Sequence, residues 1–180
     1  TDGTDYTFSD SYSSAEEEEP NACLYSKSDL VIAGSGSLTV NANYNNGITG
    51  KDTLFIQKAS VTVNAVNHGI NGKDSLTIKD ADITVTSGGD ALRSTNDSDT
   101  TLGYLVITGS ALKLTAGEDG IQAETTLTIS GGTATVTTAG GAGQSISDDT
   151  SAKGLKAGTQ VTVTGGTFQL NCCDDAIHSN

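Results

Sequence analysis

Apolar residues recur at alternate positions in short segments along most of the chain. The clearest pairs are Leu54 and Ile56, Val61 and Val63, Leu76 and Ile78, Leu127 and Ile129, and Val161 and Val163. Alternation over a few residues, bounded by Gly, Asn, Asp and Ser, is typical of β-strands with one buried face. The pattern therefore predicts many short strands joined by tight turns, with little helix.

The strand pattern repeats with a fixed period. The segment NNGITGKDTLFIQKASVTVNA returns 22 residues later as NHGINGKDSLTIKDADITVTS. The apolar residue that marks the phase is Ile48, Ile70, Leu92, Ile121, Leu155 and Ile177, at successive gaps of 22, 22, 29, 34 and 22 residues. Each period contains three strand-like pieces, and stacked periods would bury aliphatic columns. We therefore predict an all-β, single-stranded, right-handed parallel β-helix (solenoid) of about seven coils of ~22 residues, with three short strands per coil.

The two longer gaps predict insertions between strands. About seven extra residues fall within Thr95–Gly103 and about twelve within Thr137–Lys153, and both border the face built by the third strand of each coil. Loops on a rigid scaffold often carry function, although a β-helix also tolerates insertions at its turns. We divide the chain into an acidic N-terminal loop or edge segment, residues 1–22 with Glu16–Glu19, and a parallel β-helix domain, residues 23–180, that lacks terminal caps.

Charge and composition exclude several classes of partner. The chain has 180 residues, and 22 Asp and Glu against 9 Lys and Arg give a formal charge of −13, which repels phosphate backbones and anionic membranes. No apolar run approaches the roughly 20 residues that cross a bilayer, and no apolar secretory segment opens the chain. We predict a soluble protein, either a processed form or a piece of a longer one, that binds neither nucleic acid nor membrane.

Side chains at equal positions of successive coils form columns. Two residues before each phase marker come Asn46, His68, Asp90, Asp119, Lys153 and Asp175. Carboxylates on adjacent strands, such as Asp90 and Asp119, repel unless they are screened, protonated or bridged by a cation. Calcium prefers hard oxygen ligands and suits such a bridge. We therefore favour a metal for the cluster that is richest in such ligands, which comprises Asp90, Asn96, Asp97, Asp99, Glu118, Asp119 and Glu124. The competing interpretation of each single residue is an Asx-turn or a solvated edge.

Basic and amide side chains share the face of the acidic column. Our candidate carbohydrate-binding residues are Arg93, Gln122, Lys153, Lys156 and Tyr44, with His178 at the phase of Arg93 and Lys156. Cations beside a calcium ion suit the carboxylates of uronic acids. Lys153, Lys156 and Arg93 are also the candidate catalytic residues, because a lyase needs a group that abstracts a proton beside a metal-bound carboxylate. The competing interpretation of both lysines is charge compensation.

The three cysteines cannot all be linked within one chain. Cys23 lies in the first coil, roughly 29 Å from Cys172 and Cys173 in the last coil at the usual strand spacing. Cys23 falls at the phase of Gly47, where we expect a small packed residue. Cys172 and Cys173 are open to three interpretations, namely a contact between chains, an adjacent bridge or a pair of free thiols.

Five segments of the chain carry a family resemblance. They are LYSKSDLVIAGSGSLTVNANYNNGI, GKDSLTIKDADITVTSGGDALRSTN, GEDGIQAETTLTISGG, AKGLKAG and CCDDAIHSN. With them the chain resembles the clostridial-type extracellular carbohydrate-binding domain family, whose members are polysaccharide-lyase-like (pectate-lyase-like) right-handed parallel β-helices. The resemblance implies a secreted or cell-surface domain that binds calcium, cellulose and acidic pectin-type polysaccharides. The metal positions it implies are Asp90, Asn96, Asp119, Glu124, Asp174 and Asp175.

Three functions compete at this point. We favour a calcium-binding, non-catalytic extracellular domain that recognises plant cell-wall polysaccharide. The alternatives are a calcium-dependent pectate-lyase-like polysaccharide lyase and a structural β-solenoid fibre that self-associates end to end through uncapped edges. Ice binding by outer Thr arrays is disfavoured, because Lys113 and Asn64 interrupt them.

Overall fold

In the part that the structure describes, the regular secondary structure consists of β-strands joined by turns and loops. The computed structural model describes residues 3–11 and 21–180, which contain twenty strands in three sheets. Successive strands enter the three sheets in turn, so that each coil contributes one strand to each sheet. Within these residues no helix is long and apolar enough to span a membrane. The predicted parallel β-helix with three strands per coil is confirmed.

We name the three sheets A, B and C. Sheet A contains β1 (Tyr6–Ser9), β4 (Ser37–Ala42), β7 (Ser60–Ala65), β10 (Asp82–Ser87), β13 (Ala111–Ala116), β16 (Thr133–Thr138) and β19 (Thr167–Asn171). Sheet B contains β2 (Ala22–Ser26), β5 (Asn46–Gly50), β8 (Ile70–Gly72), β11 (Leu92–Ser94), β14 (Ile121–Ala123), β17 (Leu155–Ala157) and β20 (Ile177–Ser179). Sheet C contains β3 (Leu30–Ala33), β6 (Thr53–Gln57), β9 (Ser75–Lys79), β12 (Tyr104–Thr108), β15 (Thr126–Ser130) and β18 (Gln160–Val163).

Stacked aliphatic side chains fill the interior. The sheet B column of Ile48, Ile70, Leu92, Ile121 and Leu155 is in direct register from coil to coil, and each residue is at most 1% exposed. Burying such a side chain contributes roughly 1.5–3 kcal/mol. The narrow interior accommodates columns of Val, Ile and Leu, which explains how a chain with 4% aromatic residues can be stable.

Small residues precede the phase markers, because the coils approach closely at this point. A Cβ atom at Gly69 would lie 2.4 Å from Val85 Cγ1 and 2.5 Å from the carbonyl oxygen of Ala91. In the first coil, Cys23 takes the same place between Ala22 and Leu24 and packs partly buried against the core, as predicted. The polar column of the sequence analysis therefore begins just outside a tightly packed edge of sheet B.

Both predicted insertions border sheet B. Residues 95–103 follow β11, and residues 139–154 precede β17, so the two insertions lie at opposite edges of this sheet. Within the predicted acidic segment 1–22, Tyr6–Ser9 forms the edge strand of sheet A and pairs with β4. Glu16–Glu19 lie outside the described residues.

The first and last coils leave apolar side chains at the surface. Tyr6 and Phe8 in the first coil are 40% and 42% exposed, and Ile177 in the last coil is 54% exposed. A cavity of about 540 Å³ opens between the strands of the first coil. Cys172 is buried in the last coil, and all three cysteines are free thiols.

Candidate functional site

A continuous polar column runs along the edge at which the sheet B strands begin. Main-chain hydrogen bonds place its members in register. In each coil, the residue that follows the column position donates its N–H to the carbonyl oxygen of the column residue in the next coil, at N–O distances of 2.8–3.0 Å. The donors are Gly47, Gly69, Ala91, Gly120 and Gly154, and the acceptors are, in the same order, His68, Asp90, Asp119, Lys153 and Asp175. We call this set, with Asn46, the acidic column.

Side chains of the acidic column accept hydrogen bonds from the backbone of the following coil. Asn46 Oδ1 accepts the N–H of His68 at 3.2 Å, and His68 Nδ1 accepts the N–H of Asp90 at 2.9 Å. Asp90 Oδ1 accepts the N–H of Asp119 at 3.0 Å, and Asp119 Oδ1 accepts the N–H of Lys153 at 2.8 Å. Lys153 has no acceptor in its side chain, so the ladder ends there. The buried carboxylates thus satisfy backbone donors.

Basic side chains neutralise the other carboxylate oxygens. Arg93 Nη1 lies 3.3 Å from Asp90 Oδ2 and 2.9 Å from His68 Nε2. Lys156 Nζ lies 2.9 Å from Asp119 Oδ2. Ser151 Oγ accepts a hydrogen bond from Lys156 Nζ and donates one to Asp119 Oδ1. Lys153 Nζ pairs with Asp174. These contacts provide the charge compensation that the sequence analysis held open for both lysines.

Burial shifts the titration of the central pair in opposite directions. Burial, followed by the negative charge of Asp119, raises the pKa of Asp90 to about 6. Burial, followed by the positive charge of Arg93, lowers the pKa of His68 to about 4. A hydrogen bond to Asp174 raises the pKa of Lys153, so this lysine holds its proton at neutral pH.

A second column on sheet B faces outward. Its members are the middle residues of successive strands, and each is paired with the next one along the sheet. In order they are Asn71, Arg93, Gln122, Lys156 and His178. Arg93, Gln122 and Lys156 are half-buried, whereas their strand neighbours are buried in the core. We call this set the donor column, because every member has a side-chain N–H group. Tyr44 lies half-buried in the turn before β5.

The six predicted metal residues do not form one site. Asp90 and Asp119 lie where sheet B strands begin, but Asn96 and Glu124 follow the strands at the opposite edge. Asn96 donates to Asp74 Oδ1 at 2.6 Å, and its own Oδ1 accepts bonds from Ser98 and Asp99. It therefore shapes the first insertion. Asp174 and Asp175 lie in the last coil, where Asp175 Oδ2 is 2.9 Å from His178 Nδ1.

One group in the described residues brings three metal-binding side chains together. Ligand atoms of His68, Asp90 and Glu118 lie within 4.8 Å of one another. Both ring nitrogens of His68 already contact N–H donors, and Arg93 occupies the position of a cation. The set is also not the all-oxygen environment that calcium prefers. Only Asp90 belongs to the predicted ligand set, and calcium stays a prediction.

Sequence reasoning missed three contributors to the site. The sequence analysis placed His68 in the acidic column but did not place it beside Arg93. The position of His68 in the 22-residue period was the one signal that could have indicated this contact. Glu118 was grouped with the neighbouring acids without its contact to His68. Ser151 lies in an insertion that has no counterpart in other coils, so no periodicity could place it against Asp119.

Comparisons with known proteins agree with the fold. A family model described as "Carbohydrate-binding domain-containing protein" matches residues 1–180. A protein of the same description from Acetivibrio thermocellus is 44% identical over 129 residues, which are 72% of this chain and 44% of the relative. The solved structure of the polysaccharide lyase-like protein from C. thermocellum, a gadolinium derivative, has a TM-score of 0.72 and 31% identity, covering 95% of this chain and 64% of that one. The chain thus spans less than two thirds of either relative.

The opposite pKa shifts predict opposite pH dependences of stability. Folding raises the pKa of Asp90 from 3.8 to about 6, so its ionisation lowers the free energy of unfolding as pH rises through that range. Folding lowers the pKa of His68 from 6.5 to about 4, so protonation of the unfolded state lowers the free energy of unfolding as pH falls through that range.

Urea unfolding of two variants between pH 4 and pH 6.5 separates these contributions. In Asp90→Asn the His68 contribution remains, and the free energy of unfolding should rise more steeply with pH than in the wild type. In His68→Gln the Asp90 contribution remains, and the slope should be more negative than in the wild type. Slopes that shift in the same direction in both variants would contradict the assignment.

Proposed function

The chain belongs to the family of carbohydrate-binding domain-containing proteins, and we propose that its sheet B face binds plant cell-wall polysaccharide, either cellulose or an acidic pectin-type chain. The observation that carries this proposal is the donor column, which presents partly exposed side-chain N–H groups in four consecutive coils, at Arg93, Gln122, Lys156 and His178, while Asn71 is buried. A polysaccharide that lies along the solenoid axis, between the two insertions, would meet these four partly exposed side chains.

An acidic polysaccharide suits this face better than a neutral one. Arg93 and Lys156 can donate charge-assisted hydrogen bonds to carboxylates, and these are stronger than bonds between neutral groups. Neutral glucans are usually held by stacking on aromatic rings, and only 4% of the chain is aromatic. Among the residues predicted to bind carbohydrate, Tyr44 is the one aromatic side chain.

We propose binding without catalysis, with a polysaccharide lyase as the second candidate. A proton-abstracting base must lose its own proton near neutral pH. Lys153 has a raised pKa beside Asp174, and Lys156 is held in an ion pair with Asp119. Arginine is not deprotonated in proteins, so Arg93 suits substrate binding rather than proton transfer.

We propose calcium as a separate ligand of the acidic column, because the adjacent carboxylates of Asp90 and Asp119 are expected to repel each other and a bound cation would reduce that repulsion. A bridging ion would compete with Arg93 and Lys156 for the same carboxylate oxygens. The affinity for calcium should therefore be higher when Arg93 is absent.

We further propose an extracellular location, because a cell-wall polysaccharide is accessible only to a secreted or surface-attached domain. End-to-end self-association is an additional structural role, favoured by the apolar side chains exposed in both terminal coils. Head-to-tail stacking would cover Tyr6, Phe8 and Ile177.

Replacing either cation of the donor column should weaken binding of an acidic polysaccharide. We expect Arg93→Met and Lys156→Met each to lower the affinity for polygalacturonate about tenfold, the loss expected for one charge-assisted hydrogen bond. Isothermal titration calorimetry measures the affinities, and Lys113→Met, which removes the same charge from an exposed position on sheet A, is the matched control. An equal loss in the control would refute a specific face, and growth of ultraviolet absorbance from unsaturated product would favour the lyase.

Calcium should stabilise Arg93→Met more than the wild type. The variant leaves buried Asp90 beside Asp119 without its cation, so its melting temperature should be lower. Millimolar Ca²⁺ should restore it by binding the native state, whereas Mg²⁺ at equal concentration should not. Differential scanning fluorimetry with and without EDTA measures the shift. If Ca²⁺ raises the melting temperature of neither protein, the calcium proposal is wrong.

Self-association should depend on protein concentration. Sedimentation velocity is expected to show a sedimentation coefficient that increases with concentration, and Phe8→Ser should reduce the increase. A constant monomer at all concentrations would exclude end-to-end stacking as a property of this chain.

A further inference from the structure

Two adjacent rows on the outer face of sheet C consist of uncharged side chains, and strand pairing keeps them in register from coil to coil. Charged residues lie at the borders, at Asp29 before β3 and at Lys79 at the end of β9. The central row consists of Val31, Phe55, Thr77, Val106, Thr128 and Thr162. The row beside it consists of Thr53, Ser75, Tyr104, Thr126 and Gln160. We call these two rows the neutral face.

Apolar side chains project from the middle of the neutral face. Val31 is 61% exposed, and Phe55 and Val106 lie half-buried in the same row. Tyr104 lies half-buried two residues before Val106 on β12. The equivalent row of sheet A is polar throughout and consists of Thr39, Thr62, Thr84, Lys113, Thr135 and Gln169. An apolar group that is exposed on one face alone is typical of a surface that binds another molecule.

We propose that the neutral face is a second binding surface, separate from sheet B, for a neutral β-linked glucan. Phe55 and Tyr104 pack on the faces of pyranose rings. The hydroxyl groups of Thr53, Thr77 and Thr126 form hydrogen bonds with the sugar hydroxyls at the ring edges. The inference goes beyond the proposed function, because it requires neither the donor column nor the acidic column.

The chemistry of a neutral glucan matches the mixed apolar and hydroxyl character of this face. A β-linked glucose ring carries its hydroxyl groups at the edge and C–H groups on both faces. Aromatic rings attract these C–H groups because the faces of their π-systems are negative. From Val31 to Val106 the central row covers three strand spacings, roughly 14 Å. This length exceeds one pyranose ring and favours an extended chain over a monosaccharide.

Charge complementarity distinguishes the ligand of this face from an acidic polysaccharide. A uronic acid carboxylate on the neutral face would lose hydration without gaining an ionic partner. The net charge of the protein, −13, would repel the carboxylate further. A neutral chain meets neither cost, so the neutral face selects an uncharged glucan.

Binding of the full chain to cellulose tests the inference. We expect the wild type to bind microcrystalline cellulose, and we expect Phe55→Thr and Tyr104→Thr each to lower the affinity about tenfold, the value of one aromatic contact. Threonine already occupies outward positions of the neighbouring strands, so both variants should keep the fold, and thermal melts check this. Depletion isotherms measure the affinity for cellulose. Calorimetric titration with polygalacturonate should give the same affinity in both variants as in the wild type.

Tyr25→Thr is the matched control, because it removes an aromatic side chain from the outer face of sheet B. This variant should bind cellulose as tightly as the wild type does. In a competition experiment, an excess of soluble polygalacturonate should leave the protein bound to cellulose, because the two polysaccharides occupy different faces.

The outcomes separate this inference from the proposed function. Cellulose binding that is unchanged in both Phe55→Thr and Tyr104→Thr, or that polygalacturonate abolishes by competition, would overturn the inference and leave acidic polysaccharide binding in place. A wild type that binds polygalacturonate but not cellulose would do the same. If the wild type binds cellulose but not polygalacturonate, and both variants lose affinity for cellulose, the inference stands and acidic polysaccharide binding by sheet B is wrong.

A second copy of the chain is the competing occupant of the neutral face. Sedimentation velocity that shows a dimer in the wild type and a monomer in Phe55→Thr, together with no binding to cellulose, would assign the face to self-association and overturn the inference.

Discussion

The in-register stacking of each coil on the next is the constraint on which the rest of the structure depends. Parallel pairing places the same position of every coil in one column, so the inner columns become continuous aliphatic stacks. The same register aligns the acidic column, where a side-chain oxygen or nitrogen satisfies a backbone N–H of the following coil. A shift of one residue would expose the core positions and leave these donors unpaired.

Charge compensation places cations on the face of sheet B that we propose as the binding surface. Asp90 and Asp119 are buried because they accept backbone hydrogen bonds, and burial of a carboxylate requires a nearby positive charge. Arg93 and Lys156 supply it from the outward column, which positions both cations on the open face of sheet B. An acidic protein can thereby present cations at defined points without becoming basic overall.

The fold was predictable from the sequence because the period and the alternation of Leu, Ile and Val report directly on register and burial. The 22-residue spacing of Ile48, Ile70 and Leu92 was sufficient to align the coils. The partners of the acids were not predictable in the same way. Periodicity places Asp90 next to Asp119, but it does not show whether metal, proton or arginine resolves their repulsion. Ser151 contacts Asp119 from an aperiodic insertion, and only the folded chain reveals that contact.

The central claim is that sheet B, and neither of the other two faces, binds acidic polysaccharide. Backbone amide chemical-shift mapping by NMR during titration with an acidic oligosaccharide tests it most directly. The account predicts that the largest shifts belong to β8, β11, β14 and β17 and to the side-chain N–H groups of Arg93 and Gln122. Shifts centred on the outer face of sheet A or sheet C would contradict it.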